Sequence, residues 1–221
     1  MLLRIAKILA LILPVILSAN AQESYQSMNI NAQLISAAKR NQMDLLTRAL
    51  NAGARPNSRN RAGDTPLNLA ARHGNIEMVK KLLEAGSDLN QANLEKITPL
   101  MSAAFQGHAA AVKLLLEEGG DINVQDQSQK TAMVLAAGNG QARVLKTFLE
   151  HGIGVNTRYH NDLTALMWAA GHGDVESVKV LLDAKADANL RDNRGKTALA
   201  MAREAKNADV IAMLEKAGAR D

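Results

Sequence analysis

Thr65, Thr98, Thr131, Thr164 and Thr197 stand 33 residues apart, and the same phrase surrounds each of them. Thr65-Pro66-Leu67 is followed by Ala70-Ala71 and Gly74, and Thr98-Pro99-Leu100 by Ala103-Ala104 and Gly107. Thr131-Ala132-Met133 leads to Ala136-Ala137 and Gly140, Thr164-Ala165-Leu166 to Ala169-Ala170 and Gly173, and Thr197-Ala198-Leu199 to Ala202. A fixed period of this length constrains the fold more than any local propensity does. One such unit cannot bury its apolar side alone, so the copies must stack.

Each unit spells out two helices. The threonine hydroxyl can cap a helix N-terminus, and Pro66 and Pro99 fall at the first helical position, where a missing N–H costs nothing. The alanine pairs let neighbouring helices approach closely, and Gly74, Gly107, Gly140 and Gly173 end the first helix where a positive φ is cheap. A second helix carries apolar residues at helical spacing: Ile76, Val79, Leu82 and Leu83, then Val112, Leu115 and Leu116, then Val144, Leu145, Phe148 and Leu149, then Val175, Val178, Leu181 and Leu182. It closes at Gly86, Gly119 and Gly152, and a polar stretch through Asn90, Asn123, Asn156 or Asn189 leads to the next threonine.

This turn–helix–helix–turn unit resembles the ankyrin repeat, whose pattern runs Gly-x-Thr-Pro-Leu-His-x-Ala-Ala-x-x-Gly-His and then Val-x-x-Leu-Leu-x-x-Gly-Ala-x-x-Asn. Thr65 to Asn90 fits it at nearly every structural position. The resemblance covers about residues 29–221 and implies an all-α fold, an ankyrin-repeat α-solenoid of about six helix-turn-helix repeats with β-hairpin-like connecting loops. Two departures carry expectations. The family's histidine after leucine is replaced by Asn68, Met101, Val134, Met167 and Ala200, so its bond to threonine is expected to be missing. Lys185 and Lys206 occupy glycine slots, and a non-glycine residue held at positive φ costs about 1 kcal/mol.

The chain opens with a short basic stretch containing Arg4 and Lys7, then an apolar run from Ile8 to Leu17, then Ser18-Ala19-Asn20-Ala21. That is the layout of a secretory signal peptide cut after Ala21, and the apolar run is shorter than the ~20 residues a membrane span needs. The mature protein is therefore expected in the periplasm or outside the cell, with no membrane attachment. Cleavage removes two of the charges behind the net +4, which leaves no electrostatic case for nucleic acid. Cysteine is absent, so disulfide frameworks and thiolate metal sites are excluded. Aromatics make up only 2% of the chain, as suits a solenoid of many small contacts.

The expected organisation is a leader at 1–21, a lead-in at 22–28, and repeats at about 29–59, 60–92, 93–125, 126–158, 159–191 and 192–221. The first repeat lacks Thr-Pro-Leu and reads as a cap, with Leu34, Ile35, Ala37, Ala38, Leu45, Leu46 and Leu50 inward. The last closes with Ile211 and Leu214 inward and Arg203, Glu204, Lys206, Glu215, Lys216 and Arg220 outward.

No catalytic constellation stands out. The sequence has no glycine-rich phosphate loop, no His-Glu-x-x-His and no Gly-x-Ser-x-Gly, so neither enzymatic activity nor a cofactor is expected. His73 and His172 hold the same slot of different repeats, too far apart to share a metal. His108 follows the turn glycine and reads as structural, and His151 lies beside Gly152 on the outer edge. Trp168 and Phe148 fall in the core phases of Leu69 and Leu82.

What remains is surface. In a solenoid of this family the variable positions are the loop tips and the exposed side of each first helix, which together form a concave face. By phase, the second repeat supplies Arg61, Asp64, Arg72 and His73, the third Leu94, Glu95, Ile97, Phe105 and Gln106, and the fourth Gln127 and Lys130. The fifth supplies Tyr159, His160, Leu163 and His172, and the sixth Arg194 and Lys196. Leu94, Ile97 and Phe105 form the sharpest signal: they are apolar where the solenoid needs no apolar group, and they should be neighbours. Arg61, Arg72 and Tyr159 are residue types enriched in binding hot spots. The resemblance implies non-enzymatic binding of another protein by a monomer. Among exported proteins of this kind it points to a helper in stress defence, or alternatively to an immunity protein that neutralises a toxin in the periplasm.

Overall fold

The computed structural model describes residues 29–220, so the leader and lead-in expected at 1–28 lie outside the described residues. Within them are twelve α-helices in six antiparallel pairs. The pairs are α1 (Ile30–Lys39) with α2 (Met43–Asn51), α3 (Pro66–His73) with α4 (Ile76–Glu84), α5 (Pro99–Gln106) with α6 (Ala109–Glu117), α7 (Ala132–Gly138) with α8 (Ala142–Glu150), α9 (Ala165–His172) with α10 (Val175–Asp183), and α11 (Ala198–Glu204) with α12 (Ala208–Lys216). First helices pack on neighbouring first helices and second on second, which is the stacking of an α-solenoid. No β-strand occurs among the described residues; the hairpin-like loops are tight turns.

The period is written into the core. Leu67, Leu100, Met133, Leu166 and Leu199 hold one slot of the first helices and are all buried. The alanine pairs at 70–71, 103–104, 136–137 and 169–170 are fully buried as well. In the second helices the matching slot is Leu82, Leu115, Phe148, Leu181 and Leu214, again without exposure. Alanine gives up no side-chain entropy on burial, so a seam of alanines brings backbones together at low cost.

Helix starts follow the sequence reading. Every threonine of the period caps its helix, its Oγ1 accepting from the backbone N–H three residues on, and Pro66 and Pro99 sit in the first turn. The glycine that follows each first helix is needed twice over. Gly74, Gly107, Gly140 and Gly173 have φ of 66°, 83°, 69° and 75°. A Cβ at these positions would also stand 2.1 to 2.7 Å from His108, Gln141, Asp174 or Asn207 of the next repeat. Three of those residues reach back across the space. His108 Nε2 lies 3.0 Å from the Arg72 carbonyl, Gln141 Nε2 donates to the Phe105 carbonyl at 3.1 Å, and Asn207 Nδ2 to the Gly173 carbonyl at 2.9 Å. His108 thus has the structural role its slot implied.

A second ladder runs through the loops that follow the second helices. Asn57, Asn90, Asn156 and Asn189 each accept, through Oδ1, the backbone N–H of Asp88, Asp121, Asp187 and Arg220 respectively, at 2.7 to 2.9 Å. These side chains fix the register between repeats that apolar contact alone leaves loose.

One expectation is corrected. The threonine bond thought lost with the family's histidine survives in the second repeat, because Asn68 takes it over. Buried Asn68 Oδ1 accepts from the Thr65 N–H at 3.0 Å and from its hydroxyl at 2.7 Å, while Nδ2 donates to the Ile97 carbonyl of the next repeat at 3.0 Å. In the fifth repeat the Met167 sulfur faces the Thr164 N–H at 3.4 Å as a weaker substitute. Lys185 and Lys206 do carry positive φ, 65° and 56°.

Two measurements follow. Asn68→Ala leaves the Thr65 N–H and the Ile97 carbonyl short of a buried partner and is expected to cost about 2–3 kcal/mol in urea unfolding. Lys185→Gly relieves left-handed strain and should raise the unfolding midpoint by up to about 1 kcal/mol, the higher entropy of unfolded glycine offsetting part of the gain. A loss on Lys185→Gly would show that the lysine is not strained there.

Candidate functional site

The loop tips are built by one device. At the slot shared by Asn60, Asn93, Asp126 and Asp192, a side-chain oxygen accepts two backbone N–H groups, two and four residues on, at 2.8 to 3.0 Å. This lets the chain reverse in five residues, with a left-handed residue at the tip: Gly63, Lys96, Gln129, Asp162 and Gly195, at φ 60° to 80°. Tips are joined along the stack by backbone bonds, Leu94 N to Ala62 O at 3.1 Å, Gln127 N to Glu95 O at 3.2 Å and Asn193 N to Asn161 O at 3.0 Å. The fifth repeat departs from the device. Tyr159 holds the Asn/Asp slot, and the tip becomes a single 3-10 turn, His160–Asp162, with Asn161 also left-handed.

Two carboxylates anchor this face from inside. Asp64 is 5% exposed and is approached by Asn93 Nδ2 at 2.8 Å, Asn60 Nδ2 at 3.1 Å and Arg72 Nη2 at 3.1 Å. Burial alone pushes its carboxyl up, but the bonds from Asn93, Asn60 and Arg72 outweigh burial and hold it below the ordinary carboxylate value. Asp192 is likewise 5% exposed. Burial works against its charge too, and the N–H groups of Lys196 and Arg194 with the Arg194 guanidinium reverse the balance, leaving its pKa lowered. Asp64, expected to contact a partner, is therefore committed to joining the second and third repeats.

Between tips and first helices lie two adjoining clefts. The first, about 280 Å³, has an apolar wall of Ile97, Phe105 and Leu135, charged edges of Arg72, Glu95 and Asp126, and is also lined by Ser102. The Ser102 hydroxyl is buried and has no hydrogen-bond partner among the described residues. The second cleft, between Ala62, Arg72, Leu94 and Glu95, shares Arg72 and Glu95 with the first. Leu94 and Phe105 are the large apolar side chains that stand out most, 62% and 44% exposed. Ile97 and Phe105 thus share one cleft, as expected of neighbours, while Leu94 sits beside them in the next, packed against the Cα of Gly63, where a Cβ would meet its backbone nitrogen at 2.8 Å.

The other expected contacts divide. Arg61, Glu95, Gln106 and His160 are exposed, and Arg72, Ile97, Lys130, Tyr159 and Leu163 are half-buried. Gln127 is exposed but donates through Nε2 to the Leu94 carbonyl at 2.7 Å, and His73 Nε2 lies 2.9 Å from the Lys39 carbonyl, so both also serve as struts between repeats. Tyr159 packs against the core, and burial pushes its hydroxyl up to about 12. His172 is exposed, with Nδ1 2.9 Å from the Trp168 carbonyl and its ring stacked on the indole at 5.6 Å between centroids.

Trp168 packs against the core as its phase implies, yet it is not enclosed by it. Phe148 is fully buried as expected, but Trp168 is half-buried and belongs to this face, with the Lys130 ammonium 5.0 Å from its ring centroid. Its phase is that of buried Leu69, yet a Cβ at Gly138 would only touch the indole, at 3.5 Å, so no side chain from that position covers it. Replacement of a larger side chain by glycine at the covering position is the signal that would have found it.

Comparison with known proteins gives one family. A model of ankyrin repeats (3 copies) matches residues 34–126, 79–159, 112–192 and 133–220, which together take in most of the chain. No curated protein matches.

The buried carboxylates give this face an acid limb. With Asp64 and Asp192 depressed in the folded state, their contribution is complete above the unfolded value of about 3.9 and is lost as pH falls through the lower folded values. The urea midpoint of the natural chain should therefore fall more steeply below about pH 4 than that of an Asp64→Asn/Asp192→Asn variant. Parallel profiles would show that neither carboxyl is depressed.

Proposed function

Because the chain belongs to the ankyrin repeat family, whose arrays generally serve as non-enzymatic scaffolds for binding other proteins, we propose that it recognises a partner protein through the face of loop tips and first helices, with the third repeat at the centre. The observation that carries this reading is the pair of adjoining clefts around Arg72 and Glu95. Leu94 and Phe105 hold apolar surface in water there. Fold stability does not require it, since the core slots of the same repeat are filled by Leu100, Ala103, Ala104, Val112 and Leu115. Exposed apolar groups ringed by charge are the composition of a recognition patch.

An array suits a protein epitope by its shape. The contacts come from tips and helices of successive repeats, so a ligand must span several of them to bury much area, and a small molecule cannot. The compartment we propose is the periplasm, on the strength of the basic start, the apolar run and Ala19-Asn20-Ala21. Within it the proposed role is support of stress defence. Loss of the protein should then raise peroxide sensitivity and leave toxin sensitivity unchanged; the reverse pattern would favour toxin immunity.

The binding face is tested by crosslinking capture from periplasm with the natural chain against Leu94→Asp/Phe105→Asp. Two charges in the centre of a recognition patch are expected to weaken partner capture about tenfold or more while the unfolding midpoint stays within about 0.5 kcal/mol, both positions being exposed. Equal capture of the same partners would place the binding surface elsewhere.

A further inference from the structure

The fifth repeat carries a further cleft on the same face. Its volume is about 210 Å³, room for one aliphatic or aromatic side chain, and its apolar lining is Leu163, Met167, Trp168 and Met201, with His172 and Arg194 at the rim. Lys130 reaches over the indole from the fourth repeat. The charges around it differ in kind. Arg194 is already matched, its Nε and Nη2 both on Asp192 Oδ2 at 3.0 and 2.8 Å, and Lys196 is matched by Glu204 at 2.6 Å. Lys130 is not: among the described residues no carboxylate lies within ion-pair distance of its Nζ, and its charge meets only the face of Trp168. The stack therefore holds an unneutralised ammonium over the indole that lines this cleft.

We propose that this cleft takes an acidic–apolar segment of a protein partner, a leucine-sized or aromatic side chain entering between Trp168 and Met201 while the carboxylate of an adjacent Asp or Glu pairs with Lys130. The inference rests on the reading of the tip face as a protein-binding surface and adds to it a subsite of stated chemistry, away from Leu94 and Phe105. Cation–π contact holds Lys130 over the ring and leaves its remaining N–H donors for a carboxylate. A basic segment would meet Lys130 and Arg194 with like charge. A purely apolar one would leave the ammonium without a counter-ion.

Trp168 is the only tryptophan in the chain, so its emission reports this cleft without interference. The probes are acetylated, amidated peptides Gly-Ser-Glu-Leu-Glu-Gly-Ser and its counterparts with Gln or Lys for both Glu, or Ser for Leu, titrated into the full chain. The Glu-Leu-Glu peptide should change Trp168 emission saturably, the Gln peptide roughly three- to fivefold more weakly, as an exposed ion pair warrants. The Ser peptide should fail to saturate. Lys130→Glu should reverse the order so that the Lys peptide binds best, with the unfolding midpoint little changed. Leu94→Asp/Phe105→Asp should leave the peptide series as it is. Equal binding of the Glu and Gln peptides, equal binding of the Leu and Ser peptides, or an order unmoved by Lys130→Glu would each overturn the proposal. If no peptide changes the emission but Leu94→Asp/Phe105→Asp still abolishes partner capture, this subsite alone is wrong. If capture is also indifferent to those substitutions, the tip-face reading falls with it.

Discussion

A helical hairpin of two short helices, eight to ten residues in most of the pairs, has nothing to keep it folded in water except its neighbours. The contact between successive hairpins is therefore the interaction on which everything else in this protein depends. It is built from fully buried alanine pairs along the first helices, with leucine-sized side chains of both helices locking into the seam. Such a seam drives stacking but specifies register poorly, because alanine presents little shape. Register comes from side chains that hydrogen-bond one repeat to the next. Asn57, Asn90, Asn156 and Asn189 do this behind the second helices, and His108, Gln141 and Asn207 do it over the turn glycines. The glycines are what make room for the second set.

That division explains which part of the protein could be read from its sequence. Helix positions, caps and core slots all repeat, so a single reading is confirmed by four others, and even the left-handed strain at Lys185 follows from its place in the register. Features that occur once have no such confirmation. Asn68 reads as a lost histidine until its amide is seen bonding both to Thr65 and to the Ile97 carbonyl. The Asn/Asp slot at 60, 93, 126 and 192 recurs at the same period but does not declare itself, because its work is done by a side-chain oxygen on backbone N–H groups, a turn device that leaves no hydrophobic pattern. Trp168 packs on the core as its phase implies yet stays half-exposed, because phase gives the direction in which a side chain points, whereas full burial depends on what stands beside it.

The candidate site was legible to a lesser degree, for a related reason. Counting phases identifies residues that face the tips, but it cannot separate those that look outward from those that tie the tips together. Asp64 has the phase of a contact residue and is 5% exposed, held by three donors. Gln127 and His73 are exposed yet occupied with backbone carbonyls of neighbouring repeats. Polar residues on this face are the hardest to assign, since a stacked array needs many of them simply to satisfy its own turns. Apolar ones are easier, because no turn needs them.

The last step concerns where specificity can reside in a periodic molecule. Whatever every repeat shares is consumed by stacking, and it cannot distinguish one partner from another. Discrimination has to come from positions that break the period and still face water. Along one slot of the first helices the chain has Arg72, Phe105, Gly138, Gly171 and Glu204, and along another Leu69, Ser102, Leu135, Trp168 and Met201. Gly138 leaves the indole uncovered on its side. Phe105 stands over a cleft that Ser102 also lines, while the arginine beside it is drawn toward buried Asp64. Large and small side chains thus alternate down a regular stack and produce two clefts of different character, one apolar with mixed charge at its edges, the other aromatic beneath a single unmatched ammonium. A partner that satisfied only one of them would leave the other's apolar surface in water, so selectivity rises with the number of repeats a ligand spans, through added area and added mismatch penalties alike.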